Sequence, residues 1–141
     1  MPIEQNKKLD IALLVLRVGL AVVFLLFGYQ KLSNPSQTTA EIQLILNFMP
    51  LTGAAAINFY LGLLEITVAL SLVIGVRVRL FGAIAALLTA SFLASFVVKF
   101  GLSINPDLYR DVGLTAIGIS LAILGAGRWS WDVKSQKNQG V

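Results

Sequence analysis

Long apolar blocks separated by short polar connections constrain this chain more than any other feature of its sequence. The first block, residues 11–28, contains 18 residues and a single charge, Arg17. At about 1.5 Å per residue such a helix spans roughly 27 Å, close to the ~30 Å hydrocarbon core of a bilayer. Three further apolar blocks follow. The pattern predicts an integral membrane protein rather than a soluble one.

The composition narrows the chemistry that the chain can carry out. Of its 141 residues, 57% are hydrophobic and 13% are charged, and neither cysteine nor histidine occurs. Their absence excludes disulfides, thiol redox chemistry, His or Cys metal sites and the commonest haem ligands. A redox role would therefore need a diffusible carrier such as a quinone, or a partner subunit. The net charge of +4 is better explained by basic residues that fix membrane orientation than by a nucleic-acid partner.

The predicted fold is an all-α integral membrane four-helix bundle that forms a single domain, residues 1–141. Lys7 and Lys8 precede the first block, as in a signal peptide, but the apolar stretch is too long and no small-x-small cleavage site follows. It is therefore predicted to be a retained transmembrane helix. The transmembrane helices are predicted at about residues 11–31, 54–76, 79–99 and 107–125, with a polar C-terminal tail at 128–141.

The connection between the first two predicted transmembrane helices has a pattern of its own. Apolar residues recur there at roughly helical spacing against polar ones: Ile42, Leu44, Ile45, Phe48 and Met49. This segment is too short to span a membrane, and the spacing predicts a short amphipathic helix on the surface. An ordered loop that plugs the mouth of the bundle fits the same residues equally well.

The distribution of Lys and Arg predicts the orientation. The N-terminus, the 75–79 turn and the C-terminal tail hold seven of them: Lys7, Lys8, Arg77, Arg79, Arg128, Lys134 and Lys137. The other two connections hold three: Lys31, Lys99 and Arg110. Because positive residues favour the cytoplasmic side, both termini are predicted to be cytoplasmic, an N-in/C-in topology.

Polar residues inside the apolar blocks are the candidate functional residues. With a 100° step per residue, three stripes mix polar groups with small side chains. They comprise Arg17, Ala21, Phe24, Gly28 and Lys31; Asn58, Gly62, Glu65, Ala69 and Leu72; and Asp111, Thr115, Gly118, Ala122 and Gly125. Small residues at such positions let helices approach closely, so the charges are predicted to face the bundle interior.

Glu65 and Arg17 are predicted to pair. Glu65 lies roughly 15 Å from the cytoplasmic end of its helix, and Arg17 about 10 Å from the same end of its own. An arginine–carboxylate pair would keep both groups ionised at this depth. Two readings stay open for the pair: a structural clasp between helices, or the border of a cavity that handles a polar head group or a proton.

A second polar cluster is predicted at the outer helix ends, with Gln30, Lys31, Lys99, Asn105, Arg110 and Asp111. Lys31 either snorkels to the outer head groups or meets Asp111 at the polar rim of an outward-opening pocket. The candidate interior polar site thus comprises Arg17, Lys31, Asn58, Glu65, Asn105 and Asp111. No metal site and no catalytic constellation of a recognised type is predicted, so whether the chain is an enzyme stays open.

Several short motifs together resemble the DoxX family of small bacterial membrane proteins. The run R-x-G-x4-F-x3-G-x2-K-L at residues 17–32 resembles that family's first helix. Similar matches are Glu65 with G-x-R at 75–77, N-P-D-x2-R-D at 105–111, and G-x-G-R-x-S-x-D at 125–132. Ala126 stands where the family often has proline. The resemblance covers about residues 11–132.

The resemblance implies a four-helix, multi-pass protein of the bacterial cytoplasmic (inner) membrane. Some members look like subunits of membrane oxidoreductases, including a thiosulfate:quinone oxidoreductase. The implied function is a membrane subunit or partner of a quinone-linked oxidoreductase complex, with quinone as the candidate cofactor near Lys31, Glu65 and Asp111. The lipid bilayer, a redox protein and a second copy of the chain are the candidate partners. A small proton-coupled transporter and a non-catalytic membrane scaffold stay open as alternatives.

Overall fold

The computed structural model describes residues 2–46, 50–102 and 106–131, and every regular element within these ranges is helical. The helices are α1 (Pro2–Ser33), α2 (Pro35–Ile45), α3 (Leu51–Ile74), α4 (Val78–Phe100) and α5 (Pro106–Leu124). The all-α prediction is confirmed. α1 begins well before the predicted residue 11, since the polar residues ahead of the apolar block include good helix formers such as Gln5, Lys7 and Lys8.

Three of the described helices are long and apolar enough to cross a membrane. These candidate spans are Lys7–Ser33, Leu51–Ile74 and Val78–Phe100. Their outward faces carry large exposed apolar side chains, such as Val15, Leu26 and Leu87, which contact lipid. The chain is therefore a membrane protein with several candidate spans. The fourth span, predicted at about 107–125, and the N-in/C-in topology stay predictions.

The helices pack closely in two pairs, α1 with α3 and α4 with α5. Glycines allow both approaches. A Cβ atom placed on Gly28 would lie 2.7 Å from the carbonyl oxygen of Gly62, and one on Gly118 would lie 2.8 Å from the main-chain nitrogen of Ala86. Where lipid surrounds the helices, such backbone contact is a principal source of their association.

The core lies between the two helix pairs. Its fully buried apolar side chains come from α1, α3, α4 and α5 and include Leu20, Phe24, Val68, Leu72, Ala85 and Leu121. Thr89 of α4 and Thr115 of α5 add a polar contact next to this core, with hydroxyl oxygens 2.8 Å apart. The core therefore fixes α1 and α4 on either side of a shared interior.

The predicted short helix is present as α2, and it covers one end of the bundle. It packs against α1, α3 and α4, and it buries Thr38, Thr39 and Ile42 while Leu44 is exposed. The element is thus helical, as predicted, but it occupies the bundle mouth, the position that the loop alternative predicted. Two residues of the predicted apolar pattern, Phe48 and Met49, lie outside the described residues.

The chain after α5 turns back onto α1. Gly125 and Gly127 adopt positive φ angles of 83° and 69°, which favour glycine. The Arg128 main-chain N–H then donates to Asp10 of α1 at 3.0 Å. Of the predicted polar tail at 128–141, residues 132–141 lie outside the described part of the chain.

Candidate functional site

A buried ion pair joins the end of α1 to the middle of α3. The Lys31 Nζ atom lies 2.8 and 2.9 Å from the two carboxylate oxygens of Glu65. The Lys31 side chain is 14% exposed and that of Glu65 only 2%. Hydrogen bonds between ionised groups in such surroundings are among the strongest that proteins form.

The glycine contact between α1 and α3 makes this pair possible. Gly28 lies one turn before Lys31, and Gly62 lies one turn before Glu65. A Cβ atom on Gly62 would come within 3.2 Å of the Lys31 Cβ atom, so the lysine stem runs directly over the glycine. Because Cβ atoms tilt toward the N-terminus of a helix, the Lys31 side chain points back along α1, into the bundle.

Aromatic rings surround the ammonium group. The Lys31 Nζ atom lies 5.6 Å from the ring centroids of both Phe27 and Phe92. The guanidinium carbon of Arg110 lies 4.8 Å from the centroid of the same Phe27 ring. Cations at these distances are attracted to the negative faces of aromatic rings. Phe27 therefore connects the two cations of the site.

Asp111 forms a second ion pair near the first. The Arg110 Nε atom lies 3.0 Å from Asp111 Oδ1, with the arginine side chain 43% exposed and the aspartate 10%. The Thr115 hydroxyl lies 2.7 Å from the Asp111 carbonyl oxygen and holds this first part of α5 against α4. The site thus contains two neighbouring acid–base pairs.

Both ion pairs line one cavity of about 410 Å³, within the range typical of small-molecule sites. α1 and α4 contribute an aromatic wall made of Phe24, Phe27, Phe92, Phe96 and Phe100. The charged lining residues are Lys31, Glu41, Glu65, Arg110 and Asp111. α2 closes one side through Thr38, Glu41 and Ile42. The cavity thus combines an aromatic wall with charged and polar side chains.

Three of the predicted site residues line the cavity, and a fourth lies beside it. Lys31, Glu65 and Asp111 are lining residues. Asn58 is 1% exposed, and its Nδ2 atom donates to the Lys31 carbonyl oxygen at 3.0 Å. Asn105 lies outside the described residues. Two alternatives were predicted for Lys31, snorkelling to the outer head groups or contact with Asp111. It contacts Glu65 instead, and the Asp111 carboxylate pairs with Arg110.

The predicted Arg17–Glu65 ion pair is wrong. Arg17 is 1% exposed, but its guanidinium donates to main-chain carbonyl oxygens at the far end of α3 and after α5. These acceptors are Leu72 at 3.0 Å, Val73 at 3.2 Å, Ala126 at 2.6 Å and Trp129 at 3.1 Å. The last carbonyls of a helix have no partner within it, and a guanidinium offers five N–H donors. Arg17 thus joins helix ends and lies outside the cavity.

Sequence reasoning missed the aromatic wall. Phe92, Phe96 and Phe100 recur at intervals of four residues, which places them along one face of α4. That spacing was visible in the sequence. Aromatic residues in a membrane helix face lipid as readily as a cavity, however, so the spacing alone did not identify a binding surface.

Comparison with known proteins yields one family. The family model described as DoxX matches residues 12–101, well over half of the chain. The matched region includes Lys31, Glu65 and Phe92 and ends before Asp111. No curated protein and no solved structure matches the chain significantly.

Proposed function

The chain belongs to the DoxX family, and on that basis we propose that it binds the head group of a quinone as a membrane subunit or partner of an oxidoreductase complex. We place this role in the bacterial inner membrane, with both termini cytoplasmic and α5 as the fourth span. The observation that carries the proposal is the Lys31–Glu65 ion pair on the wall of an aromatic cavity.

The balance of charge in the cavity favours an uncharged head group over an anionic one. Lys31 is paired with Glu65, and Arg110 with Asp111, so each of these cations already has a carboxylate beside it. Glu41 is exposed, on the side of the cavity that α2 covers. A strongly anionic ligand would lack a complementary charge here, whereas a neutral ring with carbonyl acceptors would not need one.

The side chains also fit the chemistry of a quinone ring. An ammonium has three N–H donors, and Glu65 accepts from Lys31 through two oxygens, which leaves a donor for a ligand carbonyl. The rings of Phe27 and Phe92 offer faces and edges to a planar head group. Bound quinone would supply the electron-accepting chemistry that the chain's own side chains lack. Lys31 would orient the ring and hold a proton beside it.

Quinone content and quinone affinity test the proposal directly. We expect quinone to co-purify with the protein from native membranes, and a short-chain quinone to bind the detergent-solubilised protein in a calorimetric titration. Lys31→Met and Phe92→Ala should each weaken binding about tenfold or more, as expected when a charged hydrogen bond or an aromatic contact is lost. Phe59→Ala, at a 52% exposed residue of α3, is the matched control and should leave the affinity unchanged.

The proposal fails if the protein is isolated without quinone or partner chains and the short-chain quinone does not bind. It fails equally if Lys31→Met binds as tightly as the unaltered protein. Binding that is lost in Phe59→Ala to the same degree as in Phe92→Ala would show that the cavity is not the site.

A proton-coupled transporter is the second candidate, favoured by the position of Glu65. The carboxylate is buried within a 24-residue candidate span, and its partner is the movable side chain of Lys31. Protonation of Glu65 would release the lysine and change the charge of the cavity. Substrate-driven proton movement in proteoliposomes, lost in Glu65→Gln, would support this function, and an absence of such movement would reject it.

A further inference from the structure

We propose that Asn58 is a positioning residue, which holds Lys31 in place by supplying a hydrogen bond that Pro35 removes from the helix. Its hold on Lys31 follows from the contacts alone. Its effect on ligand affinity rests on the function proposed above.

The missing hydrogen bond lies at the end of α1. In an α-helix the carbonyl of residue 31 accepts from the N–H of residue 35, but Pro35 has no N–H. One residue earlier the pattern is intact, since the Asn34 N–H donates to the Gln30 carbonyl at 2.9 Å. The gap therefore falls on the residue that enters the cavity. Asn58 Nδ2 fills it by donating to the Lys31 carbonyl at 3.0 Å.

One face of α3 contacts Lys31 at three points. Asn58, Gly62 and Glu65 are separated by four and then three residues, which places them on the same side of the helix. Asn58 holds the lysine carbonyl, Gly62 leaves room for its Cβ, and Glu65 binds its ammonium group. The main chain and the side chain of Lys31 are thus fixed by a single helix.

The remaining polar atom of Asn58 supports this role. Its Oδ1 atom is buried and accepts no hydrogen bond within the described part of the chain. A buried acceptor without a partner is destabilising, so the Oδ1 atom gives no reason for an amide at this position. The carbonyl of Lys31 can only accept, so the donor half of the amide is the half that the contact needs. The side chain is thus present for its N–H donor.

The exposure of Lys31 to an amine-directed acylating reagent tests the inference without any ligand. We expect Asn58→Leu to raise the acylation rate of Lys31 about fivefold, the factor that one net hydrogen bond represents. Glu65→Gln, which weakens the contact with the ammonium, serves as the reference for a released lysine. Thr67→Val is the matched control, because Thr67 lies on the exposed face of the same helix and bonds only within it. Site-specific mass spectrometry measures the rate.

Gly62→Ala provides a second variant should Asn58→Leu fail to fold. It keeps the amide donor, but its Cβ would lie 3.1 Å from Leu32 Cδ2 and 3.2 Å from Lys31 Cβ, so the lysine must shift. We expect a smaller increase in acylation in the same direction. Asn58→Ser, which retains a donor, should fall between the unaltered protein and Asn58→Leu.

Quinone affinity gives the second measurement. A short-chain quinone should bind Asn58→Leu about fivefold more weakly than the unaltered protein, with Thr67→Val unchanged. Unchanged acylation in both Asn58→Leu and Gly62→Ala would overturn the positioning role. Increased acylation in a protein that binds no quinone would support the positioning role and overturn the proposed function instead.

Discussion

The loss of protein stability on breaking the Lys31–Glu65 pair is expected to depend on which partner is removed. Glu65 is 2% exposed and lies nine residues before Ile74, the end of α3, which is about 14 Å along the helix axis. Lys31→Met would leave this almost fully buried carboxylate without its partner. Removing one partner of a buried pair typically destabilises a protein by about 3–5 kcal/mol, and we expect a value in this range.

Removing Glu65 instead of Lys31 should cause a smaller loss of stability. Glu65→Leu strands Lys31, but the lysine lies two residues before the end of α1 and is 14% exposed, so its ammonium can turn outward to the head groups. We expect a loss of about 1.5–3 kcal/mol in the free energy of unfolding, the value of charged hydrogen bonds. The double variant Lys31→Met with Glu65→Leu leaves no stranded charge and should lie within about 1 kcal/mol of the unaltered protein.

Unfolding by SDS in mixed micelles, followed by circular dichroism, measures these free energies. Leu26→Met, at a 59% exposed residue of α1, is the control for substitution on that helix. Two results would refute the reasoning: a smaller loss in Lys31→Met than in Glu65→Leu, or a double variant as unstable as the two single losses combined. A folded double variant that no longer binds quinone would show that the pair acts in ligand binding, whereas retained binding would leave the pair a purely structural role.

Three further predictions concern helix contacts. Gly28→Ala should lower the free energy of unfolding by about 1–3 kcal/mol, because the added Cβ would lie 2.7 Å from the carbonyl oxygen of Gly62. Gly19→Ala should not lower it, since nothing lies within 4 Å of its Cβ, and equal effects of the two variants in SDS unfolding would contradict this. Arg17→Lys should destabilise the protein nearly as much as Arg17→Met, because an ammonium cannot donate to the same set of carbonyl oxygens as the guanidinium does. An Arg17→Lys variant as stable as the unaltered protein in the same assay would refute this prediction. Thr89→Val and Thr115→Val should show a coupling energy of about 0.6 kcal/mol in a double-mutant cycle, and strict additivity would exclude a direct hydrogen bond.

Much of the fold was predictable because membranes impose strict rules on apolar length. A charge-free run such as residues 80–98 has few alternatives to a spanning helix, and α4 occupies Val78–Phe100. The position of α2 was harder to predict from the sequence. Apolar spacing shows that one face of a short helix is buried, but a membrane surface and a bundle mouth both satisfy that requirement.

The site was only partly predictable, because helical periodicity gives the direction of a Cα–Cβ bond around the helix and little about where a long side chain ends. Lys31, Glu65 and Asp111, which belong to the predicted stripes, line the cavity. They could not show that α2 closes one side of the cavity through Ile42, or that Phe92 forms part of its wall. Those contacts depend on how separate helices are arranged.

One physical cause explains why Lys31, rather than the predicted Arg17, pairs with Glu65. Side chains on a helix lean toward its N-terminus, so both residues of α1 reach in the same direction. Arg17 therefore extends away from Glu65 and meets Leu72 and Val73 at the end of the antiparallel α3. Lys31, whose Cα lies at the opposite end of α1, extends inward and arrives at Glu65. The prediction compared the depths of Cα atoms in the membrane, and this comparison alone wrongly selects Arg17 as the partner of Glu65. When the direction of the side chains toward the N-terminus of α1 is included, the same stripe places Arg17 at the helix ends and Lys31 in the cavity. Of these two cations, only Lys31 is available to a ligand.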